Sequence, residues 1–447
     1  MSQPNLLSLT EAAAGLRNKN FSSRELVQSC LDRIEKREAT VKAWVQIDAQ
    51  AALDRADACD EQAAAGNWSG PLHGLPLGIK DIYDVEGFET AFGSDAWPAK
   101  TPTHDAASVA RLIHAGAIIL GKTVTTSFAM GDPGATCNPW NTAHTPGGSS
   151  SGSAAAVADR MCLAALGTQT AGSVIRPCAF NGLAGIKPGH SRIDIRGVLP
   201  LSWLLDHVGA LTRSLEDADL LWQILRDDHD WRREADYDAR LPLLAAEKPL
   251  RLWRMRGLFD DLASADTTAM MNEHCAALKD AGVDIVEREL PDEFADVLDM
   301  HHIVIAAEAA SSHNDGYANY SHKYPPRIKE LVEIGQKISA RDYILARRHR
   351  LKLINVLGHS MLDVDAAIMP AAAGAAPLGL EHTGDRSFNA PSSYIGFPVV
   401  CYANRVDSNK LPLGIQLLGR PDSEDELLKV GRWCEMLGGF SASPDAV

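Results

Sequence analysis

Residues 147–153 read GGSSSGS, and residues 170–177 read TAGSVIRP. Serines crowded by glycines fit three chemistries: a flexible linker, a nucleophile on a sharp turn, or an anion-binding loop. A linker carries little apolar content, yet GGSSSGS runs straight into the apolar AAAVADRMCLAALG. The five residues Gly148–Gly152 match the G-x-S-x-G elbow of serine hydrolases. That elbow needs a buried strand before it, and the preceding CNPWNTAHTPG is polar and holds two prolines. A phosphate loop would end G-K-S/T, and a dinucleotide fingerprint would follow a strand; the loop here ends G-S-A and follows none. The fifteen histidines show no H-E-x-x-H pattern, and adjacent His301 and His302 would diverge on a helix. No metal site and no cofactor is implied.

Two capping boxes, Ser8 with Glu11 and Ser22 with Glu25, open helices near the N-terminus. After the second, Leu26, Val27, Cys30, Leu31 and Ile34 share one helical face, so residues 1–65 read as helical. From there the pattern alternates. LPLGI (75–79) reads as a strand, DAASVARLIHAG (105–116) as a helix ending at its glycine, and AIIL (117–120) as a strand. TTAMMNEHCAALKDAG and VDIVERE repeat helix and strand; DAAIMP, PVVCYA and LGIQLLG are further strands; EDELLKVGRWCEML is a closing helix. The alternation predicts an α/β fold with a large mixed, mainly parallel central sheet flanked by helices on both faces. The charged stretch 230–250 reads as a surface excursion. One domain over 1–447 is expected: N-terminal helices (1–65), a core (70–220), a variable region (225–330) and the rest of the core (360–447).

The chain has 447 residues, 45% hydrophobic and 23% charged, which supports a large core. A formal net charge of −15 argues against a nucleic-acid partner, which needs clustered Lys and Arg. No apolar run is long enough to span a membrane, and MSQPNLLSLTEAAAGL lacks the features of a secretion signal. The eight cysteines are dispersed and expected to be reduced thiols. A cytoplasmic protein is expected, with a homodimer left open.

The span GGSSSGSAAAVADRMCLAALGTQTAGSVIRPCAFNGLAGIKP (147–188) closely resembles the signature of the amidase signature family. The resemblance extends to GLPLGIKDIYDVEGFETAFGS (74–94), AGAIILGKT (115–123), NPWN (138–141) and FNAPSSYIGFPVVCYA with LPLGIQLLGRP near the C-terminus. It covers most of the chain, and only 225–300 gives little to match. It implies an enzyme that hydrolyses amides of small molecules through a Ser–Ser–Lys triad. Carried onto this chain, Ser173 is the nucleophile, Ser149 the bridging serine and Lys80 the base. The family's cis peptide bond would be Gly148–Ser149, and the backbone N–H groups of Thr170, Ala171, Gly172 and Ser173 would meet the oxyanion. A serine hydroxyl needs a base to attack at neutral pH, and a lysine is one only when burial holds it neutral. Lys80, at the end of an apolar run, suits that requirement.

The same resemblance leaves some roles open. Ser150 and Ser151 read as loop hydrogen-bonders, with Ser150 a candidate to assist at the substrate. Arg176 either holds a structural ion pair or presents its planar fork to a substrate carboxylate. Two residues depart from the common pattern: Ala171 replaces a glycine, and Gln169 an aspartate. GTQTAGSVIRP resembles most the small-amide, malonamidase-like branch. The alternatives are the glutaminase-type subunit of a tRNA-dependent amidotransferase, and a Ser-His-Asp hydrolase.

Overall fold

A computed structural model describes residues 3–228 and 243–444. The expected excursion at 230–250 therefore lies largely outside the described residues. Eleven strands form one sheet: β1 (Trp44–Ile47), β2 (Pro76–Lys80), β3 (Ile118–Thr123), β4 (Ala164–Gln169), β5 (Ala184–Lys187) and β6 (His207–Thr212) come first. They are followed by β7 (Arg251–Met255), β8 (Asp284–Arg288), β9 (Ala366–Pro370), β10 (Val399–Val406) and β11 (Pro412–Leu418). Their order across the sheet is β1-β3-β2-β4-β6-β5-β10-β11-β9-β7-β8. Both faces are buried. Along β3, Ile118 and Leu120 enter one apolar core and Ile119 the other; along β10, Val399 and Cys401 alternate with Val400 and Tyr402 in the same way. Helices cover each face, as the sequence pattern requires.

The expected strands and helices appear close to their sequence positions, and both capping boxes form. Two expectations need correction. The N-terminal segment is not helical throughout: the four-residue β1 pairs antiparallel with β3 between two helices. It is a short edge strand with only Trp44 fully buried, so no alternation marks it in the sequence. The sheet is mixed but not mainly parallel. Of ten strand pairings, four are parallel (β2–β3, β2–β4, β7–β8, β7–β9) and six antiparallel. The reason is local: β10 turns directly into β11, and no helix separates β5 from β6, so neither connection can make a parallel crossover.

Among the described residues no helix is long and apolar enough to cross a membrane. All eight cysteines are free thiols, and only Cys59 is partly exposed.

Candidate active site

β2 and β4 are parallel neighbours, with Ile79 opposite Leu166, so their carboxyl ends leave the sheet side by side. That is where open α/β sheets place their ligands. Lys80 ends β2 and is fully buried. Side chains alternate along a strand, so Asp81 faces away from Lys80 and pairs with Lys122 at 2.9 Å. The Lys80 ammonium is left with hydroxyls. Its Nζ donates to Ser149 Oγ at 2.7 Å and to Thr168 Oγ1, on β4, at 2.8 Å. Burial lowers the Lys80 pKa from 10.5 to about 7, opposed by the negative charge of Asp206.

Ser149 follows a cis peptide bond at Gly148–Ser149. Gly147 has φ +80, a left-handed backbone that suits glycine. Ser149 and Ser173 line the same cavity, of about 430 Å³, together with Thr170, Ala171 and Arg176. Ser150 does not line it. Its Oγ faces β4, accepting from Thr168 N at 3.3 Å and donating to Thr168 O at 3.4 Å. Ser151 donates to Val124 O and opens helix Ser151–Ala158.

Ser173 sits on the turn between β4 and helix Ile175–Asn181. The strand–turn–helix context missing before Ser149 is thus present here. The turn is held from behind. The Gln169 carbonyl meets His207 Nδ1 at 3.1 Å. The Thr170 carbonyl accepts from His301 Nε2 at 3.1 Å, and the Ala171 carbonyl from Ser393 Oγ at 3.0 Å. The Gly172 carbonyl accepts from Arg176 N at 3.0 Å. A trans peptide points its C=O and the next N–H in opposite directions. Anchoring these four carbonyls therefore turns the N–H groups of Thr170, Ala171, Gly172 and Ser173 the other way. Among the described residues no hydrogen bond uses the N–H of Ala171, Gly172 or Ser173.

Gln169 does the work of a cap. Its Oε1 accepts from Val174 N and Ile175 N, both at 3.0 Å, and its Nε2 donates to Ser393 Oγ. A neutral amide thus satisfies the helix start without a charge. Ala171 does not have a positive φ, so its Cβ is tolerated. Gly172 is less free: a Cβ there would come within 2.8 Å of Asn389 Oδ1. Gly172→Ala is expected to displace the turn and lower kcat/KM roughly 10²-fold, the effect of losing one oxyanion donor. Steady-state kinetics alongside a thermal melt checks this, since a kinetic loss without a matching loss of Tm locates the damage in the turn.

Several residues at the site carry no signal in the sequence. Asp206 accepts from Thr170 Oγ1 at 2.6 Å and from the N–H groups of Leu201 and Ser202, and burial pushes its carboxyl up to about 6. His301 and His302 do diverge on helix Val297–Ser312. His301 is buried behind the turn, and burial lowers it to about 3; His302 lines the cavity. Ala129, Met130, Gly131 and Ile305 also line the cavity, with Arg327, Glu330, Thr383 and Arg386. Arg176 forms no ion pair with any described residue. Its Nη2 donates to Gly148 O at 2.7 Å and to Thr383 Oγ1 at 3.2 Å. Among the described residues no cluster of three or more His, Cys, Asp or Glu is arranged to hold a metal ion.

The Amidase family model matches residues 25–428. The chain belongs to the amidase family. It is 32% identical over 97% of its length to a putative amidase, AmiD, of Mycobacterium tuberculosis, covering 94% of that protein. It is also 31% identical to a glutamyl-tRNA(Gln) amidotransferase subunit of Roseobacter denitrificans, covering 99% of both chains. A crystal structure of an amidase superposes with a TM-score of 0.87 at 28% identity, over 96% of this chain and 99% of that one. A peptide amidase from Stenotrophomonas maltophilia shares the fold, with a TM-score of 0.82 at 24% identity over 98% of each chain. The amidase is an amide hydrolase with the large mixed sheet of this fold.

Proposed function

We propose that this amidase hydrolyses a small-molecule carboxamide to a carboxylate and ammonia or an amine, through an acyl-enzyme on Ser173. The observation that carries this reading is the buried Lys80, its pKa lowered to about 7, donating to Ser149 at the wall of the cavity that Ser173 lines. Neutral Lys80 takes the Ser149 proton as Ser149 takes that of Ser173. The Ser173 oxygen bonds to the amide carbon. The oxyanion is met by the free N–H groups of Ala171, Gly172 and Ser173, joined by that of Thr170, each worth up to about 3 kcal/mol. The reverse relay protonates the leaving nitrogen as the C–N bond breaks. Water, deprotonated by the same relay, then attacks the ester, and Ser173 regains its proton. Ser150, turned to β4, takes no part in this scheme.

The reading keeps a cytoplasmic enzyme that acts without nucleic acid or membrane, as a monomer or a homodimer, and it rests there on composition. The similarity to amidotransferase subunits gives a second reading: a glutaminase component that works with partner subunits. Purified alone, the chain is expected to release ammonia from short-chain amides. Turnover of glutamine only after partner subunits are added would overturn the first reading in favour of the second.

A further inference from the structure

The cavity wall carries three guanidinium groups, Arg176, Arg327 and Arg386, against one carboxylate, Glu330. Two of the three are engaged. Arg327 donates to the carbonyls of Gly131 and Glu381 at 2.6 and 2.8 Å. Arg176 holds Gly148 O and Thr383 Oγ1. Arg386 is different. Among the described residues its side-chain hydrogen bond is Nη2 to His302 Nδ1 at 3.4 Å, and it forms no ion pair with any of them. The neighbouring Asp385 turns its Oδ1 to Ser387 N. On the cavity side Arg176, His301 and His302 are all lowered, first by burial and then by the Arg386 charge. His302 Nδ1 lies within reach of the Arg386 fork and can orient it.

The Arg386 backbone is fixed as well. Its carbonyl accepts from Asn389 N and Ala390 N at 3.0 and 2.9 Å, at the start of helix Ala390–Ile395. Asn389 is the residue packed on Gly172, so the arginine and the turn below it share a support. Burial lowers the Arg386 pKa and the charge of Asp385 offsets this only in part, so a bound anion lowers the cost of holding the cation there. A guanidinium offers two parallel N–H groups that match a carboxylate. The remaining wall, with Met130, Leu201, Ile305 and Leu331, is apolar and suits a short carbon chain.

We propose that Arg386 is the specificity residue of this site and takes a carboxylate carried by the substrate. The preferred substrates are then short amides bearing one carboxylate, such as monoamides of small dicarboxylic acids. This rests on the reading of the cavity as the place of amide hydrolysis. It assigns the recognition to Arg386 rather than to Arg176, whose Nη2 already donates to Gly148 O and Thr383 Oγ1 while its Nε is buried without a partner among the described residues.

The test compares malonamate, succinamate and glutaramate, each with the neutral amide in which an isopropyl group replaces the carboxylate. The wild-type enzyme is expected to prefer the acid by about tenfold or more in kcat/KM for at least one pair, the gain of a charge-assisted fork. Arg386→Gln should bring that ratio to about one, chiefly through KM, and Arg386→Lys should retain part of it. A wild-type ratio at or below one for every pair overturns the proposal without any variant. So does an Arg386→Gln enzyme that keeps the wild-type ratio. Intact mass measured in the same reactions separates the two layers. Hydrolysis without acylation of Ser173 sinks the catalytic reading, while the ratio still decides the role of Arg386.

Discussion

Ser173→Ala is expected to lower kcat/KM by at least about 10⁴-fold and to abolish the acyl-enzyme, as loss of the nucleophile does in serine hydrolases. Ser173 is only 8% exposed and lines the cavity beside Ser149, on a turn whose carbonyls are anchored from behind. Ser149→Ala should be nearly as severe, because the Lys80 ammonium then loses the hydroxyl it donates to at 2.7 Å. Ser150→Ala should keep substantial activity, since its hydroxyl is turned to Thr168 on β4. The comparison is informative because Ser149 and Ser150 are consecutive: a loop merely loosened by any serine loss would weaken both alike. Wild-type turnover in Ser173→Ala would contradict the assignment, as would an inactive Ser150→Ala that folds normally.

The second large effect is on pH. Lys80 accepts a proton only when neutral, and burial holds its pKa near about 7 against an unperturbed 10.5. Below that pH the group is protonated and activity falls; above it activity rises to a plateau. The two histidines packed behind the turn, His301 and His207, cannot give this limb. His301 is lowered to about 3, and His207 well below its usual value, both chiefly by burial. Asp206, raised to about 6 by burial, is separated by mutation. Asp206→Asn removes a negative charge near Lys80, so a Lys80 limb moves to lower pH, whereas a limb due to Asp206 disappears. Lys80→Met should cost roughly 10³-fold across the range, and Lys80→Arg should not rescue it, because a guanidinium stays protonated. A limb near 6.5 with Lys80→Met close to wild type would point to a histidine base.

The strands that end at the site were unequally legible. β2 could be read because LPLGI is a compact apolar run ended by a lysine. β4 could not: AALGTQ holds four good helix formers (two Ala, Leu and Gln) and one β-branched residue, and it becomes a strand because it is buried between β2 and β6. Elbow logic applied to Gly148–Gly152 tested a serine that follows no strand, while the strand–turn–helix lay at Ser173. Only the resemblance of the whole signature pointed there. The supports of the turn are single polar residues far apart in the chain. Asp206, His301, Ser393 and Asn389 stand 36, 131, 222 and 217 positions from Thr170, Thr170, Ala171 and Gly172. No periodicity marks such residues, because tertiary packing alone brings them together. Arg386 is hidden for the same reason, in a loop before helix Ala390–Ile395. Arg176 was legible as important but not in kind, since only the folded loop shows its Nη2 on Gly148 O.

The central claim is that a covalent acyl group forms on Ser173, and it can be observed directly. Enzyme mixed with a slowly turned-over short-chain amide is quenched in acid within the first turnover. The protein is digested and mapped by mass spectrometry. The account predicts one acyl adduct, on the peptide carrying Ser173, absent from Ser173→Ala and decaying with the rate of product release. An adduct on Ser149, Ser150 or Ser151 while Ser173 stays unmodified would contradict it.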